Sequence, residues 1–497
     1  MTISSKLRFT LLLCSSILFS FLAACQVITP TSTPTLLPPT ETITPAPTDT
    51  PTSTLTPTPA PLLRLSGEDL PNLEIGEPGI SPPNRLRPQI GNTRQTLDTE
   101  HFRIHYAAEG FNRPPMEDEN GNGHPDYVEE VARAVEYVWQ SEIDYFGWPA
   151  PPPDEDLGGD DRYDVYLQDL EDDGLLGYAT EDDEARNGDN PNTPAVERYA
   201  KPSYFVIEND YFPVESMYST VAHEFMHSIQ FGIDARETQK WLWEATAAWM
   251  EGEVFDSIND ADPWLPAVFK SPDSCLVTEG GIERVEDYGH WYGLWIFMRY
   301  LSEQYGHAAV RGIWELAAEH NGYVSWDISL ESNGTTLEEF FQDYSIALLL
   351  RAFEEGDSYP AVRLEGTAYE NQPFTPVDGI GQLGADYIQI SSSGMIMVQL
   401  ESEKLSGVVV GVNDDLASIF SMPGNQMSVD SDAFDHLYLI VMNTQRAQNV
   451  PNCHITDYTV SITSGGGPQE PVELLPAENF SVPYVEGLLD YKDYFPQ

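Results

Sequence analysis

Thr220-Val221-Ala222-His223-Glu224-Phe225-Met226-His227 sets two imidazoles four residues apart, with a carboxylate directly after the first. On a helix, residues i and i+4 lie on one face, so both rings can reach a single metal ion. Zinc suits neutral imidazole nitrogens and leaves a coordination position for water. Glu224 is then placed to take the proton of that water as it attacks a carbonyl. Two surface histidines on an amphipathic helix are the bland alternative. Val221, Ala222, Phe225 and Met226 argue against it, because a helix apolar on most sides belongs inside a core. The pattern predicts a helix from Pro213 or Ser216 through Phe231.

A third ligand is expected from the next helix, Glu237 to Val254, which carries Trp241-Leu242-Trp243-Glu244-Ala245-Thr246-Ala247-Ala248-Trp249-Met250-Glu251. This stretch resembles the gluzincin metallopeptidases, which follow an HExxH helix with a segment like W-L-x-E-G-x-A; Ala245 stands where that pattern has Gly. The resemblance implies zinc held by His223, His227 and Glu244, with Glu224 as general base. Glu251 and Glu253 are alternatives, although Glu251 lies two turns along the face of Glu244, far for sharing one ion. Gluzincins also use a Tyr or His to bind the oxyanion, a donor worth several kcal/mol at the transition state. Asp287-Tyr288-Gly289-His290-Trp291-Tyr292-Gly293, followed by Met298-Arg299-Tyr300-Leu301-Ser302-Glu303-Gln304-Tyr305-Gly306, is the expected source, in the order Tyr288, His290, Tyr292.

A second motif starts at Asp118. Counting from there, Asp118, Asn120, Asn122, Asp126 and Glu129 fall at positions 1, 3, 5, 9 and 12, with Gly123 at 6 and the His124 carbonyl at 7. That is the spacing of a twelve-residue calcium loop. Pro125 departs from the EF-hand pattern at position 8, and the alternative is an Asn-Gly turn capping the helix that follows. The string N-G-N-G-x-P-D-Y-V-E, with Gly158-Gly159 and Tyr163-Asp164-Val165-Tyr166-Leu167 after it, resembles a bacterial family of secreted metalloproteases over about residues 99–355.

Upstream, Lys6 and Arg8 precede an apolar run, Phe9 to Ala24, too short to span a membrane comfortably and ending Leu22-Ala23-Ala24-Cys25. This resembles the bacterial lipoprotein box, which implies cleavage of residues 1–24 and lipid on Cys25, hence a cell-surface protein held to the membrane by its N-terminal lipid. Residues 25–62 read as a stalk: from Thr29 to Pro61, 23 of 33 residues are Thr or Pro, a composition that stays extended and buries no core. Residues 63–98 read as an irregular connection, 99–358 as the metallopeptidase domain, 359–466 as an antiparallel β-sandwich and 467–497 as an acidic tail. The sandwich rests on short apolar runs, among them Gly407-Val408-Val409-Val410-Gly411-Val412 and Leu437-Tyr438-Leu439-Ile440-Val441-Met442, separated by Gly, Asn, Asp and Ser. The expected class is thus α+β, with a gluzincin-type zincin domain, mainly helical around its site and holding a small sheet, ahead of the sandwich. Cys275 and Cys453, the two thiols left in an exported chain, are expected to form a disulfide; two buried free thiols are the alternative.

The 497 residues carry 80 Asp+Glu against 24 Lys+Arg, a formal charge of −56. Such a chain offers no basic face to nucleic acid or to anionic lipid headgroups. With 41% hydrophobic residues it has ample material for cores. The expected activity is hydrolysis of a peptide or protein substrate outside the cell, with zinc and calcium as ions. A degenerate surface-binding protein and a zinc hydrolase of a non-peptide amide are the competing readings.

Overall fold

A computed structural model describes residues 87–154, 156–171, 175–182, 188–211, 213–278, 289–414, 416–447, 452–467, 469–477 and 480. The signal segment, Cys25, the stalk and Tyr288 lie outside the described residues. The fold is α+β.

A first sheet consists of β1 (Arg94–Asp98), β2 (Phe102–Ala107), β3 (Tyr163–Gln168), β4 (Gly177–Glu181) and β5 (Ser203–Glu208), in the order β1-β2-β3-β5-β4. The β2/β3 and β3/β5 pairs are parallel, while β1 and β4 join antiparallel at the edges. Helices α1 (Asp126–Trp139) and α2 (Glu215–Asp234) pack on one face, where Val128, Val131, Val135, Val221 and Phe225 meet Phe102, Ile104, Val165 and Phe205. On the other face Ile90 joins Tyr166 and Val206. Arg87 is buried there between Asp154 and Asp182. The segment 63–98, expected to be irregular, therefore contributes a strand and a buried anchor at its end.

α3 (Lys240–Val254) lies against α2, and α4 (Leu265–Lys270), α5 (His290–Gly293), α6 (Trp295–Tyr305), α7 (His307–Ala317), α8 (Tyr323–Ser332) and α9 (Leu337–Leu350) complete the helical part. The capping box of α9 joins Thr336 to Glu339 through bonds of 3.1 and 3.2 Å.

The second half holds two sheets. Strands β6 (Gly366–Tyr369), β7 (Gly384–Ser391), β9 (Ser406–Asn413), β10 (Leu416–Ser421), β12 (His436–Asn443) and β14 (Glu473–Pro476) run in the order β14-β10-β9-β12-β7-β6, and β8 (Met395–Glu401), β11 (Gln426–Asp430) and β13 (Thr459–Ser464) in the order β11-β8-β13. Val398, Leu400, Val409, Leu439, Val441 and Val460 fill the space between them. Two expectations are corrected. The sandwich is not wholly antiparallel, since β6 joins β7 in parallel, and the expected tail supplies the edge strand β14. The back of the large sheet is buried too: Tyr387, Val408, Val410 and Tyr438 belong to the core shared with the helices. Burial on both faces explains the unbroken apolar runs of β9 and β12.

The segment before α5 is clamped onto this half. Gly381 and Ala385 donate backbone N–H groups to the carbonyls of Asp273 and Pro272 (both 2.8 Å), and Leu276 donates to Gln382 (3.1 Å). Cys275 and Cys453 form the expected disulfide, their Cα atoms 6.2 Å apart.

Candidate metal centre

α2 runs twenty residues with one glycine, Gly232, near its end, and its buried side chains include the polar His223, Glu224, Ser228 and Gln230. α3 presents Ala245, Ala247 and Ala248, small residues that let two helices approach closely. Between them His223 Nε2 and His227 Nε2 stand 3.1 Å apart, and Glu244 Oε2 lies 3.4 Å from the first and 3.6 Å from the second. Two atoms each 2.0–2.1 Å from a tetrahedral zinc are separated by roughly 3.3 Å, so the three donors fit that ion as they stand. Among the described residues, the other three-residue group with this convergence is Asp273, Glu365 and Asp378, which already holds Arg363 against Asp273 and Glu365 at 2.9 and 3.2 Å.

The outer ring nitrogens have their own partners. His223 Nδ1 faces Glu251 Oε1 at 2.6 Å, and His227 Nδ1 faces Gln230 Oε1 at 2.8 Å. Glu251, weighed above as a distant ligand, thus sits behind His223. The sequence offered a signal for it in the seven-residue spacing from Glu244, and none that we read for Gln230. Burial pushes the Glu251 carboxyl up, opposed by His223.

Glu224 is buried beside the edge strand. The backbone N–H of Ala179 in β4 bonds its carboxylate, and Oε2 has no hydrogen-bond partner. Burial raises its pKa, and the nearby His223 and His227 oppose the rise. Gly177 makes this approach possible: a Cβ there would lie 3.0 Å from Glu224 Cγ and 2.9 Å from Thr220 Cγ2. β4 was not foreseen, because Gly177-Tyr178-Ala179-Thr180-Glu181 is half-buried throughout and shows no alternation.

Of the expected oxyanion donors, Tyr288 lies outside the described residues, and His290 and Tyr292 can be placed. His290 is buried with Nδ1 3.1 Å from the Thr278 carbonyl, beside a small cavity lined also by Leu276, Tyr344 and Tyr387. Tyr292, ranked last, stacks on His223 with ring centres 5.8 Å apart and planes 19° from parallel. Burial first, then the charges of Glu244 and Glu224, push its hydroxyl pKa up, so it stays a donor. Trp264 backs it at 5.2 Å.

The loop Asp118–Glu129 departs from three carboxylates facing one point. Asp118 accepts the N–H groups of Gly121, Asn122 and Gly123 at 2.7, 3.1 and 2.9 Å. Asp126 turns back to the Glu119 N–H, and Glu129 takes the side-chain amides of Asn120 (3.0 Å) and Asn122. The Asn122 side-chain oxygen accepts the His124 N–H at 2.9 Å, and His124 itself is buried. Asn120, Asn122 and Glu129 do converge; Asp126 stands apart.

Residues 211–344, from just before α2 into α9, match a family of unknown function (DUF6055). No curated protein matches. Among solved structures, the crystal structure of Salmonella Typhimurium PliG, a periplasmic lysozyme inhibitor of g-type lysozyme, aligns at 14% identity over 20% of this chain and 96% of that chain, with a TM-score of 0.15. A likeness so slight carries no argument.

Proposed function

We propose that this chain is a zinc-dependent metallopeptidase of the gluzincin type, displayed outside the cell on a lipid-anchored Thr/Pro stalk. The observation that carries the reading is the convergence of His223 Nε2, His227 Nε2 and Glu244 Oε2 within 3.1 to 3.6 Å, with Glu224 one residue beyond the first ligand. Zinc bound by these three residues would lower the pKa of a coordinated water and polarise the substrate carbonyl. Glu224, held by the Ala179 N–H, offers its unpartnered Oε2 to the proton of the attacking water and passes that proton to the leaving amine. Tyr292, protonated at neutral pH, supplies a hydrogen bond to the oxygen that gains charge. Calcium in the loop Asp118–Glu129 belongs to the same proposal, supported by the convergence of Asn120, Asn122 and Glu129.

Metal analysis combined with digestion of a peptide library tests this. The expected result is about one zinc per chain, the count of a single three-ligand site, together with hydrolysis. Glu224→Gln should keep the metal and lose cleavage, since an amide cannot accept the proton; His227→Ala should lose both. Zinc retained at full stoichiometry in His227→Ala would place the ligands elsewhere.

A further inference from the structure

We infer that Gln230 is a positioning residue of this metal centre: one buried amide selects the tautomer of His227 and fixes the backbone beside Glu244. The inference rests on the reading of His223, His227 and Glu244 as zinc ligands.

Gln230 follows His227 by three residues on α2 and is completely buried. Its Nε2 donates to the backbone carbonyl of Trp243 at 3.1 Å. A carbonyl only accepts, so the amide nitrogen must lie on that side and the amide oxygen on the other. That oxygen is 2.8 Å from His227 Nδ1. An amide oxygen also only accepts, so Nδ1 must carry the proton. The lone pair is then left on Nε2, the atom that faces Glu244 Oε2 and His223 Nε2. Trp243 is the residue directly before Glu244. One side chain therefore holds a ligand of α2 in its binding tautomer and ties down α3 next to the third ligand.

The two histidines reach the same tautomer by different chemistry. Behind His223 stands a carboxylate, Glu251, whereas His227 has a neutral amide. A carboxylate at position 230 would set an acceptor against the Trp243 carbonyl inside the core, an unpaired contact that costs stability. Only a group with a donor on one side and an acceptor on the other serves both neighbours, which is the inventory of glutamine.

Two variants separate the roles. Gln230→Met keeps length and flexibility without donor or acceptor; Gln230→Glu keeps the acceptor for His227 but loses the donor for Trp243. Zinc affinity, measured by competition with a chelator, should weaken by about 10–100-fold in Gln230→Met, as for other outer partners of metal-binding histidines. Gln230→Glu should recover most of that loss while its metal-free form melts at a lower temperature than the wild type. Equal affinities for Gln230→Met and wild type would overturn the inference. So would equal losses in both variants, which would reduce Gln230 to a tie between helices.

Ring-nitrogen NMR of the metal-free wild type gives a readout that needs neither zinc nor a folded variant. In its neutral form, the His227 ring should carry its proton on Nδ1. Protonation on Nε2 in that form would refute the assignment. A wild type that binds no zinc yet shows the Nδ1–H tautomer would sink the metallopeptidase reading and leave the role of Gln230 in orienting His227 standing.

Discussion

At the scale of single residues, the centre divides into groups visible in the chain and groups visible only in space. His223, Glu224 and His227 are legible because their geometry is local, five residues of one helix. Glu244 was reached through a resemblance in the segment that carries it. Tyr292 was ranked below Tyr288 and His290, because helical spacing says nothing about which ring of an aromatic run turns toward another helix. In the structure it is the Tyr292 ring that stacks on His223. Tyr292→Phe removes the hydroxyl and leaves the ring. It should lower kcat roughly 100-fold, the scale of one lost oxyanion donor, with zinc content and KM little changed. A Phe variant at full activity would return the role to another group.

At the scale of elements, α2, α3 and the apolar strands β9 and β12 lie within a few residues of where the sequence puts them, since each is long and largely buried. The losses share a cause. β1, β4 and β14 are edge strands of four or five residues, paired on one side, whose half-exposed positions carry little pattern. α8, Tyr323-Val324-Ser325-Trp326-Asp327-Ile328-Ser329-Leu330-Glu331-Ser332, has exposed Val324 and Ile328 as well as buried Trp326 and Leu330, so no single apolar face announces it. In the loop leading into α1, Asn120 and Asn122 meet Glu129 through side-chain bonds, while Asp126 accepts the Glu119 N–H. With calcium present the amides of Asn120 and Asn122 would turn their oxygens inward and Glu129 would bind the ion. Millimolar calcium, the range of extracellular modules at about 10⁻⁴–10⁻³ M, should raise the melting temperature, and Glu129→Gln should abolish the rise. A response unchanged in that variant would show the loop to be only a turn before α1.

At the scale of the whole molecule, the acidic composition becomes specific once burial is known. Burial pushes the carboxyl of Glu303 up to about 7, while the N–H of Glu354 and the charge of Arg299 pull the other way. Asp262 and Asp343 are each raised to about 6, again by burial first. Between 4.5, the ordinary value for Glu, and about 7 the folded chain keeps a proton on Glu303 that the unfolded chain has released. Unfolding free energy therefore falls as pH rises through that window. Partial exposure limits the effect of Glu303 to about 1 kcal/mol. Urea melts at pH values of about 5 and 8, either side of that window, should show the drop, and Glu303→Gln should lessen it. An identical slope in the variant would remove Glu303 from the account.

The clamp on residues 272–278 does more than join two halves. Trp291 Nε1 donates to the Val277 carbonyl at 3.0 Å and His290 meets that of Thr278, so the short helix bearing Tyr292 hangs from a segment bonded and disulfide-linked to the β-rich half. That half also lends the back of its large sheet to the core beneath the helices. A boundary at residue 358 is therefore not a place to cut. Exchanging the sheets for another module would unseat the short helix and open the shared core, so the stretch from β1 to β14 behaves as one unit in any shuffling or grafting.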